Sequence, residues 1–218
     1  MPSVHALPEA LQGVVAMRPH RRCFEKFAES LTPEERAAVC QWLNVTYDII
    51  RGFQIEGCIP EHLLPQQVEV LGRHFSAALA KAVVCTETVF RGLSAGNWRP
   101  KHIDFLHWLI HDPQEITFPS YDSTTLSEEI GRAYCRTGPD DEERHLSVFL
   151  RVQPLTARYL APFKYKAKDE EEVVLLKGAR YKRTNSQRLT DPKLGLEYWE
   201  VDLVEEGRER LNSPLRYH

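Results

Sequence analysis

Three short segments of the sequence carry residue types that can act together on a charged substrate. In Asp169-Glu170-Glu171-Glu172-Val173-Val174-Leu175-Leu176 an acidic cluster runs directly into an apolar stretch. Side chains alternate between faces in an extended chain, so Glu170 and Glu172 are expected on one face and Glu171 on the other. Two carboxylates on one face repel, which raises one pKa and lets the pair divide charge stabilisation from proton acceptance. In Phe118-Pro119-Ser120-Tyr121-Asp122-Ser123-Thr124-Thr125-Leu126 a run of small hydroxyls can orient a carboxylate and leave room for a ligand beside the backbone. In Val89-Phe90-Arg91-Gly92-Leu93 the planar guanidinium suits a diphosphate, and the glycine lets backbone amides approach a ring amide. Taken singly, each segment has an ordinary explanation. These are a solvated acidic loop, a turn in which Thr125 or Ser127 caps a helix over SEEIGRAY, and a surface Arg at a strand end.

The elements that must position these segments are partly legible. Thr32-Pro33-Glu34-Glu35 combines an N-cap hydroxyl, a proline at the first helical position and a glutamate three residues after the cap. A helix is therefore expected to open there, with Val39, Trp42, Leu43, Tyr47 and Ile50 along one face. A second helix is expected over 65–81, with Val68, Leu71, Phe75 and Leu79 on one face. Both read as packing helices. The β-branched stretch VVCTETVFRG at 83–92 reads as a strand, as do 145–152, 172–178, 179–183 and 196–205, with a helix expected within 97–113. Helices first and strands later predict an α+β domain with a mainly antiparallel sheet. Residues 1–22, which include the basic cluster His20-Arg21-Arg22, read as a flexible N-terminal segment, and 23–218 as one domain.

Order and spacing make the three segments more telling together. Phe90-Arg91-Gly92, then Ser123-Thr124-Thr125, then Glu170-Glu171-Glu172 running through an apolar strand to Gly178, resemble the arginine-serine-glutamate class of mono-ADP-ribosyltransferases. That class includes many bacterial toxins and effectors. The likeness covers roughly residues 31 to 205, and it departs from the usual pattern at Thr125, where serine is common. It implies the ADP-ribosyltransferase fold, with N-terminal helices packed on a split β-sheet core. It also implies an enzyme for which NAD is a substrate, cleaved at the nicotinamide–ribose bond. By the same resemblance Glu172 would bind the ribose and stabilise the cation, and Ser123 would orient Glu172. Arg91 would hold the diphosphate and Gly92 the nicotinamide amide, while Thr124 and Thr125 would line the NAD site. Glu170 would serve the incoming nucleophile, and Phe163 and Tyr165 would touch a protein target. Glutamate at position 170 points to an arginine acceptor in this class. A Thr or Ser acceptor, such as one on ubiquitin, and a catalytically silent binding module of the same fold remain open.

Composition narrows the remaining classes. With 218 residues the chain is long enough for one substantial core, and a formal charge of −3 gives no global reason to expect a nucleic-acid or membrane-surface partner. The sequence contains neither G-x-G-x-x-G nor a Walker-type loop. The five cysteines, Cys23, Cys40, Cys58, Cys85 and Cys135, are odd in number and lack a C-x-x-C pair, so they read as reduced thiols. His102, His107 and His111 cluster, yet HWLIH lacks the glutamate of H-E-x-x-H, and no metal is expected. The first residues lack a basic start followed by an apolar stretch. With the family likeness, this suggests an effector secreted by another route to act in a host cytosol, or otherwise a cytoplasmic enzyme.

Overall fold

The computed structural model describes residues 21–43, 47–56, 63–96, 100–111, 115–136, 144–160, 171–191 and 195–207. The first part is helical, with α1 Arg21–Ser30, α2 Pro33–Gln41, α3 Tyr47–Glu56 and α4 Pro65–Lys81. The start of α2 matches its sequence signature. The Thr32 hydroxyl accepts from the Glu35 amide at 3.2 Å, and the Thr32 amide donates to the Glu35 carboxylate at 2.8 Å. Glu35 also pairs with Lys81 Nζ at 2.6 Å, which ties the start of α2 to the end of α4. The run expected as one helix from Thr32 through Ile50 is two elements, α2 and α3, with the α2 C-cap at Trp42. Arg21 and Arg22, read as part of the N-terminal segment, already belong to α1.

The hydrogen bonds from Lys81 and the Thr32 amide hold the Glu35 carboxyl below the usual carboxylate range. A carboxyl with a depressed folded pKa stabilises the fold above its unfolded pKa, and that contribution is lost as pH falls through the folded value. Glu35→Gln keeps the capping-box acceptor but loses the charge facing Lys81, so it is expected to lower stability by at most about 1 kcal/mol near neutrality, and the gap to wild type should close on acidification. Urea unfolding of both proteins over a descending pH series checks the size and the sign.

The strands are β1 Val84–Cys85, β2 Val89–Gly96, β3 Glu115–Thr117, β4 Asp122–Thr125, β5 Arg144–Gln153, β6 Ala157–Tyr159, β7 Glu172–Leu175, β8 Arg180–Thr190 and β9 Glu197–Glu205. Two further helices, α5 Pro100–His111 and α6 Glu128–Arg136, follow β2 and β4. The strand order is β1-β6-β7-β4-β2-β5-β9-β8-β3, antiparallel except for the parallel pair β5/β9. The stretch 83–92, expected as one strand, is two. β1 pairs with β6, whereas β2 pairs with β4 and β5, because the chain crosses between sheet neighbourhoods near Glu87, which accepts the Tyr159 hydroxyl hydrogen bond. β2 runs against β5 along its whole length but meets β4 at one register pair, Phe90 with Thr125. The sheet is thus split into two groups that touch at a narrow seam.

Two apolar cores flank this sheet. Leu106, Leu109 and Ile110 of α5 pack with Val89, Leu93, Val148, Leu150 and Val201. Phe27, Val39, Trp42, Ile50, Phe75 and Leu79 from α1 to α4 form the other core. Val173 and Leu175 face the first core and Val174 the second, so β7 is buried on both sides. That explains its unbroken apolar run, which lacks the alternation of a half-solvated strand. The turn after β7 places Gly178 at φ 80°, a left-handed conformation that glycine adopts without a Cβ clash.

Candidate active site

The three segments singled out in the sequence meet on neighbouring strands. Phe90-Arg91-Gly92 lies on β2, Ser123-Thr124-Thr125 on β4, and Glu172 begins β7. Phe90 is paired with Thr125, and Thr125 with Glu172, so these residues form one cross-strand row through the seam. Directly paired residues share a face, so Thr125 stands opposite Glu172 and Ser123 is its diagonal neighbour on that face. Thr124 faces the other way, and its hydroxyl donates to the Val173 carbonyl at 2.7 Å. The helix-cap reading of this segment is realised at Ser127, the second of its two candidate caps. Ser127 Oγ accepts from the Ile130 amide at 3.3 Å and opens α6, while Ser123–Thr125 stay extended.

Arg91 is held at the start of β4. Its Nη1 donates to the Ser123 carbonyl and stands 3.1 Å from Asp122 Oδ1. Arg51 of α3 approaches the same Asp122 oxygen through Nε at 3.2 Å. Asp122 is 3% exposed at its side chain, against 16% for Arg51 and 11% for Arg91. Among the described residues this cluster sets two guanidiniums against one carboxylate, and guanidinium is a donor whose geometry suits a diphosphate. Asp122→Asn keeps the shape but removes the charge that offsets two sheltered cations, and is expected to cost about 2 kcal/mol of stability. Chemical denaturation followed by circular dichroism checks this.

Glu172 is half-buried, and its carboxylate Oε1 accepts from Trp42 Nε1 at 3.2 Å. Its backbone carbonyl accepts from the Leu160 amide at 3.0 Å, which fixes the entry to β7. The expectation that alternation sets Glu170 and Glu172 on one face assumes an extended chain through Glu171. That residue has φ 44°, in the left-handed region, so the chain is not extended there and period-two reasoning does not cross it. Glu170, Phe163 and Tyr165 lie outside the described residues.

Gly92 has a steric duty that the sequence did not disclose. A Cβ there would lie 2.3 Å from both the Cys135 amide nitrogen and the Gly131 carbonyl oxygen of α6. Three other residues at the site were not singled out for it. Trp42 reads as a packing residue in the sequence, Asp122 has no reading of its own within the hydroxyl-rich segment, and Arg51 carries no local signal. His107 and His111 stack on one another with ring centroids 6.1 Å apart, and His111 meets Trp199 edge-on. Among the described residues no cluster of His, Cys, Asp or Glu could hold a metal ion. Among the described residues Cys23, Cys40, Cys85 and Cys135 form no disulfide.

Helices α1 to α4 against a split, mainly antiparallel sheet is the fold of the ADP-ribosyltransferases, and solved structures of bacterial toxins share it. Vis toxin from Vibrio splendidus superposes with a TM-score of 0.61 at 15% identity, covering 88% of both chains. Exoenzyme S from Pseudomonas aeruginosa, in complex with human 14-3-3 protein beta and bound to carba-NAD, gives 0.57 at 14% identity over 91% of this chain and 87% of that one. The enzymatic component C2-I of the Clostridium botulinum C2 toxin gives 0.58 at 15% identity, over 89% of this chain and 48% of the other. No protein-family model matches the sequence, and no curated protein does.

Proposed function

We propose that this chain is an NAD-dependent mono-ADP-ribosyltransferase that breaks the nicotinamide–ribose bond and passes ADP-ribose to an arginine of a target protein. The observation that carries the reading is the cross-strand row Phe90, Thr125, Glu172, with Arg91 and its Asp122–Arg51 partners beside it. Breaking the bond to nicotinamide builds positive charge on the ribose, and a preorganised carboxylate stabilises such charge as it develops. Glu172 takes that role, with Ser123 and Thr125 on its face of β4. Arg91 binds the diphosphate as a planar two-pronged donor. Glu170 readies the acceptor, since a guanidinium must lose a proton to attack. The arginine acceptor also draws support from Vis, which has been solved with agmatine, a small molecule bearing a guanidinium. Because the structural neighbours are toxins, action inside a target cell belongs to the same proposal.

The test is transfer of labelled ADP-ribose from NAD to agmatine and to proteins of a eukaryotic lysate. Labelled agmatine, with agmatine competing against protein labelling, supports the arginine acceptor. Protein labelling that agmatine does not compete points instead to a hydroxyl acceptor. If neither label transfer nor nicotinamide release occurs, the transferase reading gives way to a silent binding module.

A further inference from the structure

Trp42 occupies the C-cap of α2, far in sequence from any of the three motif segments, and is 1% exposed. Its indole plane is fixed on two sides. It stacks on Phe75 of α4 with ring centroids 4.4 Å apart and 15° between planes, and it meets Tyr121 edge-on at 6.3 Å. Tyr121 is itself anchored, with its hydroxyl 2.6 Å from Ser76 Oγ and its amide donating to Gln54 Oε1 at 3.2 Å. A ring clamped in this way cannot turn to follow a moving acceptor, so its N–H points along one line. On that line, at 3.2 Å, lies Glu172 Oε1.

An indole nitrogen donates and never accepts, so its natural partner is an acceptor such as a carboxylate oxygen. Packing alone would be served by any large apolar ring at this position. The placement of the single polar atom of Trp42 against the candidate catalytic carboxylate is what packing does not require. We infer that Trp42 is a positioning residue for Glu172, holding one carboxylate oxygen so that the group meets the ribose in a single orientation. The inference rests on the proposed role of Glu172. The donor reaches Glu172 from the end of α2, a helix tied to α4 by the Glu35–Lys81 pair.

The test compares Trp42→Phe with Val39→Ala, a core truncation one turn earlier on the same helix and in the same apolar cluster. Both variants lose stability, so rates are normalised to folded protein by thermal melts. Trp42→Phe keeps a ring but lacks the donor. It is expected to lower kcat for nicotinamide release by roughly ten- to a hundredfold with little change in KM, since a misdirected catalytic group costs rate more than binding. Val39→Ala should keep kcat per folded molecule. The hydrogen bond is also read without activity, from the indole N–H proton resonance of Trp42, identified by its absence in Trp42→Phe. That resonance should move upfield in Glu172→Leu. An unmoved resonance overturns the inference, as does a Trp42→Phe enzyme with unchanged kcat or a Val39→Ala enzyme that falls equally. In each of these cases an active wild type leaves the transferase reading standing. A wild type that never cleaves NAD while the resonance still moves refutes the transferase reading and takes the positioning role with it.

Discussion

Glu172→Gln is expected to lower NAD cleavage by about 10²–10³-fold, the usual loss when one preorganised electrostatic group is removed from a site where charge develops. The substitution isolates charge from shape. Glutamine has nearly the same outline, its side-chain oxygen can still accept from Trp42 Nε1, and the backbone bond from Leu160 to residue 172 is untouched. What disappears is the negative charge that the proposed function sets against the ribose. Nicotinamide release measured beside a thermal melt separates the two contributions, with a large fall in rate and a melting curve close to wild type. A Gln variant that turns over at the wild-type rate would remove Glu172 from the chemistry and direct attention to the other acidic residues before β7.

The second large effect is structural. Gly92→Ala is expected to destabilise the fold by at least about 3 kcal/mol, the upper end for inserting one methyl into a packed interior. The new Cβ would meet backbone, with Cys135 N and Gly131 O both at 2.3 Å and the Tyr134 carbonyl carbon at 2.6 Å. Backbone atoms of a helix cannot swing aside as a long side chain can, so α6 must shift as a body. Gly131 adds to the constraint, since a Cβ there would lie 2.8 Å from Phe90 Cβ. The two glycines let α6 settle onto β2 beside Arg91. Urea unfolding of Gly92→Ala gives the cost directly, and wild-type stability in that variant would overturn this account of α6 packing.

Local order was largely legible in the sequence. The reciprocal cap at Thr32 and Glu35 announced α2, the apolar spacing over 65–81 matched α4, and the unbroken Val-Val-Leu run marked β7. Each of these signals is written in residues a few positions apart. What escaped depended on contacts between distant positions. Nothing near Val84–Gly92 showed that the chain would leave one sheet neighbourhood for another. The left-handed turn at Glu171 lies in a run of identical residues, where alternation looks the same whether or not the backbone is extended. Of the candidate site, Arg91, the hydroxyl-rich β4 and Glu172 were found through order and spacing, and the structure sets them on adjacent strands. Asp122, Arg51 and Trp42 were not, because a buried ion pair and a single indole hydrogen bond leave no periodic trace.

The place of β9 bears on how the protein is made. The last of the described strands in chain order, it lies in the interior of its sheet group, between β5 and β8 and parallel to β5. A growing polypeptide therefore exposes one long edge of β5 until residues 197–205 have left the ribosome, and such an edge is a template for mispairing. Pairing over so many intervening residues is also slow. The half of the sheet that carries Arg91 is thus completed only once β9 has been made, and until then the open edge of β5 is a site for aggregation.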